Sequence, residues 1–561
     1  MIKRIFIILA LTFSISHLAN AQVENVSLDD PVYDFLKRLS VRQIIPSIHD
    51  YDPNMSKEQI TNYLLEAKNQ SLRLSSTDRA LLQKYLVKFD VSMMDKSNTT
   101  ALFDSQGRFS VRDMFTDKEK YFYVLNSNGN TLFFDYLMSG QVSTEFKPNN
   151  KASAILFDFG GRFQGTFFGH LGYNFYLRKG VVGGNDSMLA VLNEPRLLYN
   201  FKYLENNPDD SERSFDFIDG YVKYEIKPQD NMRLSVQLGR EKLLYGYSYT
   251  DPLALGGAHP NMDFIKLKFD FGIAHFSSIT ASTVGPFHPD RDSNYTKFIA
   301  FNSLRFSIPN LFDIGIGESV VYSRGLDIGY LTPFIFYKFV EHSLQDRDNG
   351  TLFFDIQTHF IRNLQFQGTF FMDESLFGGL SQFNKQTNKV AFQTGAMWTE
   401  PAGLKDLSLV LQYTYIRPYV YTHFNPKNTY TSFGQVLGNP IGPNADQIYS
   451  RLSYDFSDWL SLSVAYERIR KGENVYNANG DLVLNVGGDV NQTFRAGVDS
   501  DIANFLDGNR VNTDVARVSL QIEPIRNFIF DINYAYQKEN HLDQNFVRDV
   551  SYGSLKLSID Y

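Results

Sequence analysis

The chain has 561 residues, with 54 Lys and Arg against 62 Asp and Glu, no cysteine, and 49 Phe and 33 Tyr beside only 2 Trp. The absence of cysteine excludes a disulfide scaffold and cysteine-ligated zinc or iron–sulfur centres, and the acidic balance argues against a nucleic-acid-binding surface. Such a length exceeds one ordinary soluble domain and fits either several domains or one very large barrel.

Residues 1–21 read as a secretory signal peptide. Lys3 and Arg4 precede a short apolar run from Ile5 to Ile15, and Ala19-Asn20-Ala21 forms an A-x-A cleavage site. The run is too short to span a bilayer, and no later segment offers an uninterrupted apolar helix, so any membrane crossing falls to strands. Cleavage would leave Gln22 first, where lipoprotein anchoring would need a cysteine.

From Gln22 to about residue 95 the periodicity is helical. Phe35, Leu36 and Leu39 form one apolar stripe, Ile60, Leu64 and Leu65 a second, and Leu81, Leu82, Tyr85, Leu86 and Phe89 a third. Ser56 and Gln59 match a capping box. Three short amphipathic helices are expected over 22–95, packed as a small periplasmic bundle against something larger, with 96–130 as a linker.

From residue 131 to 561 the period is two. Leu555, Leu557, Ile559 and Tyr561 alternate with polar residues, as do Phe528 to Tyr536, Ala516 to Ile522 and Leu407 to Tyr415. Many of these segments are about 10 residues long, the length of a tilted membrane strand. Tight connections, such as Pro228 to Asn231, Pro309-Asn310 and Pro524 to Asn527, alternate with long polar ones, such as 244–263, 323–349, 417–445, 471–511 and 538–549. Short periplasmic turns and long extracellular loops are the pattern of an outer-membrane barrel. The expected fold is therefore an all-β transmembrane barrel of about 18 antiparallel strands with both ends periplasmic. Residues 152–178 read as one long strand or two, which leaves 16 as the other count. Glu318 falls on the lipid-facing parity, and a bulge at Gly315 or Gly317 would turn it away.

No motif for hydrolase, nucleotide or zinc-protease chemistry occurs in the sequence. Asp355, Gln357 and His359 share an inward wall and His170 faces inward on its own strand, but no nucleophile is placed beside them, so a non-enzymatic protein is expected, without cofactor or metal. Asp290, Asp292 and Asn294 resemble half of a calcium loop that lacks its Gly and closing Glu. In the 244–263 loop, Tyr245, Tyr247 and Tyr249 precede His259 and Asn261. Aromatic faces beside polar groups suit sugar rings; an outer aromatic girdle is the other reading of these tyrosines.

The run Gly239-Arg240-Glu241-Lys242-Leu243-Leu244-Tyr245-Gly246, followed by Asp251-Pro252-Leu253-Ala254-Leu255, resembles a segment of the capsule-assembly Wzi family, with Tyr245 where Trp is usual. Glu318 to Tyr322, Leu331 to Tyr337 with Pro333, Asp348-Asn349 and Asp373-Glu374 resemble that family's Bacteroidetes branch, which includes RemB-like gliding-motility surface proteins. The resemblance implies an 18-stranded outer-membrane barrel, plugged by a periplasmic helical bundle, that attaches capsular polysaccharide at the cell surface. Its implied partners are outer-membrane lipid, extracellular polysaccharide and other envelope proteins. A passive diffusion porin, its lumen lined by Arg233, Lys266, Lys268, Arg517 and Glu523, is the alternative, and a motility or secretion component is a third.

Overall fold

The computed structural model describes residues 22–103, 113–127, 129–192, 194–199, 213–373 and 383–561. The expected signal peptide and Glu374 lie outside the described residues. Eighteen antiparallel strands close into a barrel. They are β1 (Asn130–Lys147), β2 (Ser153–Phe167), β3 (Leu171–Gly184), β4 (Arg213–Gln229), β5 (Met232–Glu241) and β6 (Met262–Phe271). Next come β7 (Ala274–Val284), β8 (Thr296–Ile308), β9 (Phe312–Tyr322), β10 (Asn349–Thr358), β11 (Leu364–Asp373) and β12 (Lys389–Thr399). The ring is completed by β13 (Leu407–Ile416), β14 (Ala445–Asp455), β15 (Leu460–Glu473), β16 (Asn509–Ile525), β17 (Phe528–His541) and β18 (Phe546–Asp560). Closure comes from β18 pairing with β1, with Leu137 opposite Asp560 and Leu555 opposite Val142.

Alternation sets which face is dry. On β2, Ile155, Phe157 and Phe159 stand exposed on the outside while Ala154, Leu156 and Asp158 are buried within. Every neighbouring pair on the ring is antiparallel, and the outward apolar residues line up across it into a continuous lipid-facing band, as an outer-membrane barrel requires. Both tryptophans, Trp398 and Trp459, are exposed near the short-turn rim, where an interfacial girdle sits. The described residues contain no helix long and apolar enough to cross a membrane, so the strands do so.

Three expectations are corrected. His170 stands in the turn Phe168-Gly169-His170 that joins the two strands of 152–178, the reading that gives 18, with its Nδ1 beside the Glu225 carbonyl, and not on an inward strand wall. The connection expected over 538–549 is mostly strand, because β17 and β18 extend through it. No bulge turns Glu318: the register runs evenly from Asn302 through Glu318 to Leu352.

Before the barrel come α1 (Val32–Val41), α2 (Lys57–Asn69) and α3 (Ser76–Phe89). Ser56 and Ser75 each close a capping box, which satisfies the first free N–H groups of α2 and α3. Phe35, Leu36, Leu39, Ile60, Leu64, Leu82 and Leu86 interlock as their shared core. The helices occupy the short-turn mouth of the barrel: Arg38 pairs with Asp455 at 2.5 Å, Arg42 with Glu400 at 2.9 Å, and Lys84 with Glu523. The segment between α1 and α2 rises into the lumen itself, where Asp52 meets Lys266 at 2.6 Å and Lys268 at 3.0 Å. The helices thus sit at the mouth of the barrel, and the connection between α1 and α2 is the part that enters the lumen.

Candidate functional site: a filled lumen and its outer cover

The 242–261 connection turns inward from the rim and descends into the lumen. Just before it, Gly239 of β5 lets β4 approach closely: a Cβ there would stand 2.4 Å from the Gly220 carbonyl oxygen. Gly246, at φ +120°, turns the chain and donates its N–H to the Tyr51 carbonyl at 2.8 Å. The extracellular loop and the N-terminal segment therefore meet inside the barrel.

Their meeting point is built around Arg305. Its guanidinium, wholly buried, pairs with Asp355 of β10 and lies 4.1 Å from the ring centre of Tyr51, 4.8 Å from Tyr247 and 5.2 Å from Tyr245. Arg is suited to this place because its planar cation stacks on rings and holds its charge without water. Tyr51 also packs edge-on to Tyr245 and Tyr247, and the Tyr247 hydroxyl donates to Asp313 at 3.2 Å. His359 lies 3.0 Å from that same Asp313. Asp355 and His359, weighed above as an acid and a base, are thus held by different partners, Asp355 by Arg305 and His359 by Asp313.

Charge on the inserted segment is tuned by the same packing. Burial alone would raise the Asp52 carboxyl, but Lys266 and Lys268 outweigh it and hold Asp52 below the usual carboxylate range. Burial pushes the His49 imidazole down to about 4, helped by His275 and opposed by Asp313 and Asp270. The His49 ring lies tilted against His275, with centres 4.3 Å apart, and the His275 Nδ1 lies 2.8 Å from Asp270.

Tyr245 and Tyr247 are 0% and 2% exposed, so the surface-loop placement expected of them is corrected, as is the outer-girdle reading. Tyr249 packs against Met397 and Val410 of the inner wall, and its N–H donates to Gln412 at 2.7 Å. His259 is buried, with its ring nitrogens at the Pro260 and Leu243 carbonyls, and Asn261 donates to Asp219. Tyr245, Tyr247 and His259 are thus buried by contacts of the inward-turned loop, and Tyr249 and Asn261 partly so.

The remaining residues of the family resemblance hold loops. Arg240 pairs with Asp263 at the rim at 3.1 Å. Asn349 donates to the Asn428 carbonyl at 2.9 Å, and the Tyr421 N–H donates to Asp373, which fixes the 417–444 loop over the lumen. Tyr421 and Tyr430 in turn donate to the carbonyls of Leu253 and Ala254. Glu318 and Tyr322 stand on the outer face of β9, and Pro333 lies in the segment that packs over that face.

Beside the inserted segment the lumen is polar. A cavity of about 540 Å³ at the short-turn mouth lies between α1, α3 and the inner face of β14 to β17, with Arg38, Arg451, Asp455 and Gln521 on its walls. A second, of about 320 Å³, lies toward the loops among Asp251, Asn439, Tyr449, Glu467 and Arg517. Of the residues expected to line an open pore, Lys266, Lys268 and Glu523 are bound to the N-terminal segment, while Arg517 pairs with Glu467 at 2.6 Å and Arg233 with Glu225 at 3.3 Å.

On the outer cover three loops bring together Tyr199, Phe287 and Phe433. The Tyr199 and Phe433 ring centres stand 5.8 Å apart edge to face, and those of Phe287 and Phe433 are 6.5 Å apart and stacked. Phe433 and Gly434 are the tip of a two-residue hairpin in which Ser432 pairs with Gln435. Both have positive φ, +54° and +75°, as a type I′ turn demands. Asn or Asp suits the first of these positions and a bulky aromatic does not. Phe433 nevertheless stands there, partly buried, with Asn491 donating to the Gly434 carbonyl at 3.1 Å. Sequence reading missed this group because its three residues are far apart in the chain; the signal open to it was Phe-Gly where a hairpin asks for Asn-Gly. In the calcium-like loop, Asp290 caps its own turn, accepting from the Asp292 N–H at 3.3 Å and the Ser293 hydroxyl at 2.8 Å.

No family model matches the chain, and no curated protein matches it. Over 96% of its length it is similar to 99% of Wzi of Escherichia coli, described as a carbohydrate-binding β-barrel outer-membrane protein involved in group 1 capsule assembly, with 13% identity and a TM-score of 0.55. It is also similar to OprD of Pseudomonas aeruginosa, covering 80% of this chain and 97% of that one at 12% identity and a TM-score of 0.44. OccAB2 of Acinetobacter baumannii matches 77% of this chain and 98% of its own at 10% identity and 0.46. At these identities the likeness to Wzi speaks for the fold, and the chain is an outer-membrane β-barrel with a helical N-terminal segment.

Proposed function

We propose that this barrel is a plugged, non-catalytic surface protein that holds extracellular polysaccharide in capsule attachment or assembly, with Tyr199, Phe287 and Phe433 as its sugar-stacking faces. The observation that carries the reading is Phe433. A large ring is kept partly exposed at a turn position whose geometry disfavours it, and strain of this kind clusters at functional positions. The likeness to a carbohydrate-binding barrel over nearly the whole chain supports the same class of ligand. The Arg305 junction supports closure, because a diffusion pore gains nothing from tying both ends of its lumen filling together.

The test is retention of polysaccharide, extracted from the surface of the producing cells, by the purified full chain against a variant carrying Tyr199→Ala, Phe287→Ala and Phe433→Ala. The account expects retention by the first and a loss of tenfold or more in the second. Equal retention, or none by either, refutes it. The polar cavities beside the plug favour a second reading, a diffusion pore. A steady open conductance of the intact protein in planar bilayers would support that reading. A motility or secretion role predicts instead co-purification with other envelope proteins and no polysaccharide retention.

A further inference from the structure

The segment between β9 and β10 does not rise from the rim but folds down on the outside of the wall. Ala300 and Phe298 of β8 and Val320 and Tyr322 of β9 have the parity that faces lipid elsewhere, yet Ala300, Val320 and Tyr322 are buried beneath Tyr330 and Tyr337. Polar groups on the wall hold the segment there. The Glu318 carboxylate accepts the N–H groups of Tyr337 at 2.7 Å and Lys338 at 3.4 Å. Asn302 donates to the Ile335 carbonyl at 3.0 Å and accepts from the Tyr337 hydroxyl at 3.1 Å. Glu318 thus stands on the lipid-facing parity because a backbone covers it. The segment's own charges are turned to one another, Arg324 to Asp327 and Lys338 to Glu341.

Between Ile328 and Phe339 the segment shows mainly apolar side chains to the outside, while its exposed polar residues Arg324, His342, Gln345, Asp346 and Arg347 lie toward its two ends, next to the loop ends of β9 and β10. Ile328 is 80% exposed, Phe334 69%, Phe336 49% and Phe339 74%. In water such a display would be costly. Between the segment and the wall runs a crevice of about 290 Å³ lined by Phe269, Phe276, Leu304, Ile316, Phe334 and Phe336. It opens onto the band formed by Leu304, Phe306 and Ile314, which are exposed to lipid. Because the segment descends from the loop end of β9, it lies in the outer-leaflet half of that band. Continuity with the lipid-facing surface settles the occupant: a hydrocarbon chain is what the crevice meets there.

We propose that residues 328–339 of this segment form a clamp embedded in the outer leaflet that seats an acyl chain of an outer-leaflet lipid in this crevice. Two measurements on the full chain test it. The first places a reporter, Phe334→Trp, in vesicles of phosphatidylcholine brominated at mid-chain, read against the two native tryptophans. The added signal should be quenched several-fold more by the bromolipid than by aqueous iodide; the reverse order would put the segment in water and overturn the proposal. The second uses native mass spectrometry of barrels extracted in mild detergent from unlabelled vesicles of phosphatidylcholine and lipopolysaccharide. Ile316→Trp, which fills the crevice from an outward position, should lower retained lipid at least tenfold while heat-modifiable mobility shows the barrel intact. Unchanged retention, or a dimer of this chain that Ile316→Trp dissolves, would overturn the assignment of a lipid chain.

Discussion

Arg305→Ala should unseat the plug. The substitution removes a cation that is fully buried against Asp355 and stacked on Tyr51, Tyr245 and Tyr247, and it strands Asp355 with only the Thr369 hydroxyl at 2.6 Å. Breaking one side of a buried pair costs about 3–5 kcal/mol, and each desolvated ring contact adds up to about 2 kcal/mol. Only Tyr51 belongs to the N-terminal segment, so its ring contact and the misfit left by Asp355 weaken the junction directly. At about 1.4 kcal/mol per decade, a loss of 3–5 kcal/mol shifts the seated-to-unseated ratio by roughly two to three and a half decades. In planar bilayers the unmodified protein should stay closed and Arg305→Ala should show transient steps, with a lowered unfolding temperature. The pair Arg305→Met with Asp355→Leu should close again, since apolar replacement of both partners is close to neutral. If Arg305→Ala stays as closed and as heat-stable as the parent, the junction does not hold the plug.

Acid should loosen the same region. His49 is depressed to about 4 in the folded chain, so between about pH 6.5 and 4 the unfolded chain binds the extra proton, and stability falls as pH falls, by at most about 1.4 kcal/mol per pH unit. Thermal unfolding of His49→Gln should lose that slope, while Asp52, held low by its lysines, contributes its loss only below about pH 4. Phe433→Asn should raise stability by relieving the positive-φ position while lowering polysaccharide retention, a pair of changes read by calorimetry and pull-down. Gly239→Ala should destabilise the barrel by about 1–3 kcal/mol, since its Cβ would press on the Gly220 carbonyl and the Tyr221 side chain; an unchanged denaturant midpoint would contradict that.

The barrel is legible because its pattern is repeated many times over: strict parity, long strands and connections that alternate in length leave few other solutions. The three helices are legible from their stripes and capping boxes for the same local reason. Where the 244–263 and 323–349 loops go is not legible, because a loop's destination is decided by contacts far away in sequence. The Tyr245 and Tyr247 rings read equally as sugar platforms, girdle or core until Arg305 is seen between them and Tyr51. Glu318 breaks the alternation, and the sequence alone offers only a local cause, a bulge. The actual cause is a backbone N–H pair nineteen and twenty residues downstream, brought back against the wall. The run Ile44 to Tyr51, apolar but not helical, was the one sign that the bundle continues into the lumen.

The most direct measurement of the central claim is binding of cell-surface polysaccharide to the purified full chain, made in parallel on the variant lacking the three outer rings. Retention by the parent, lost tenfold or more when Tyr199, Phe287 and Phe433 become alanine, is the result predicted. Equal retention by both proteins would contradict it, and so would a parent that retains no polysaccharide but conducts steadily across a bilayer.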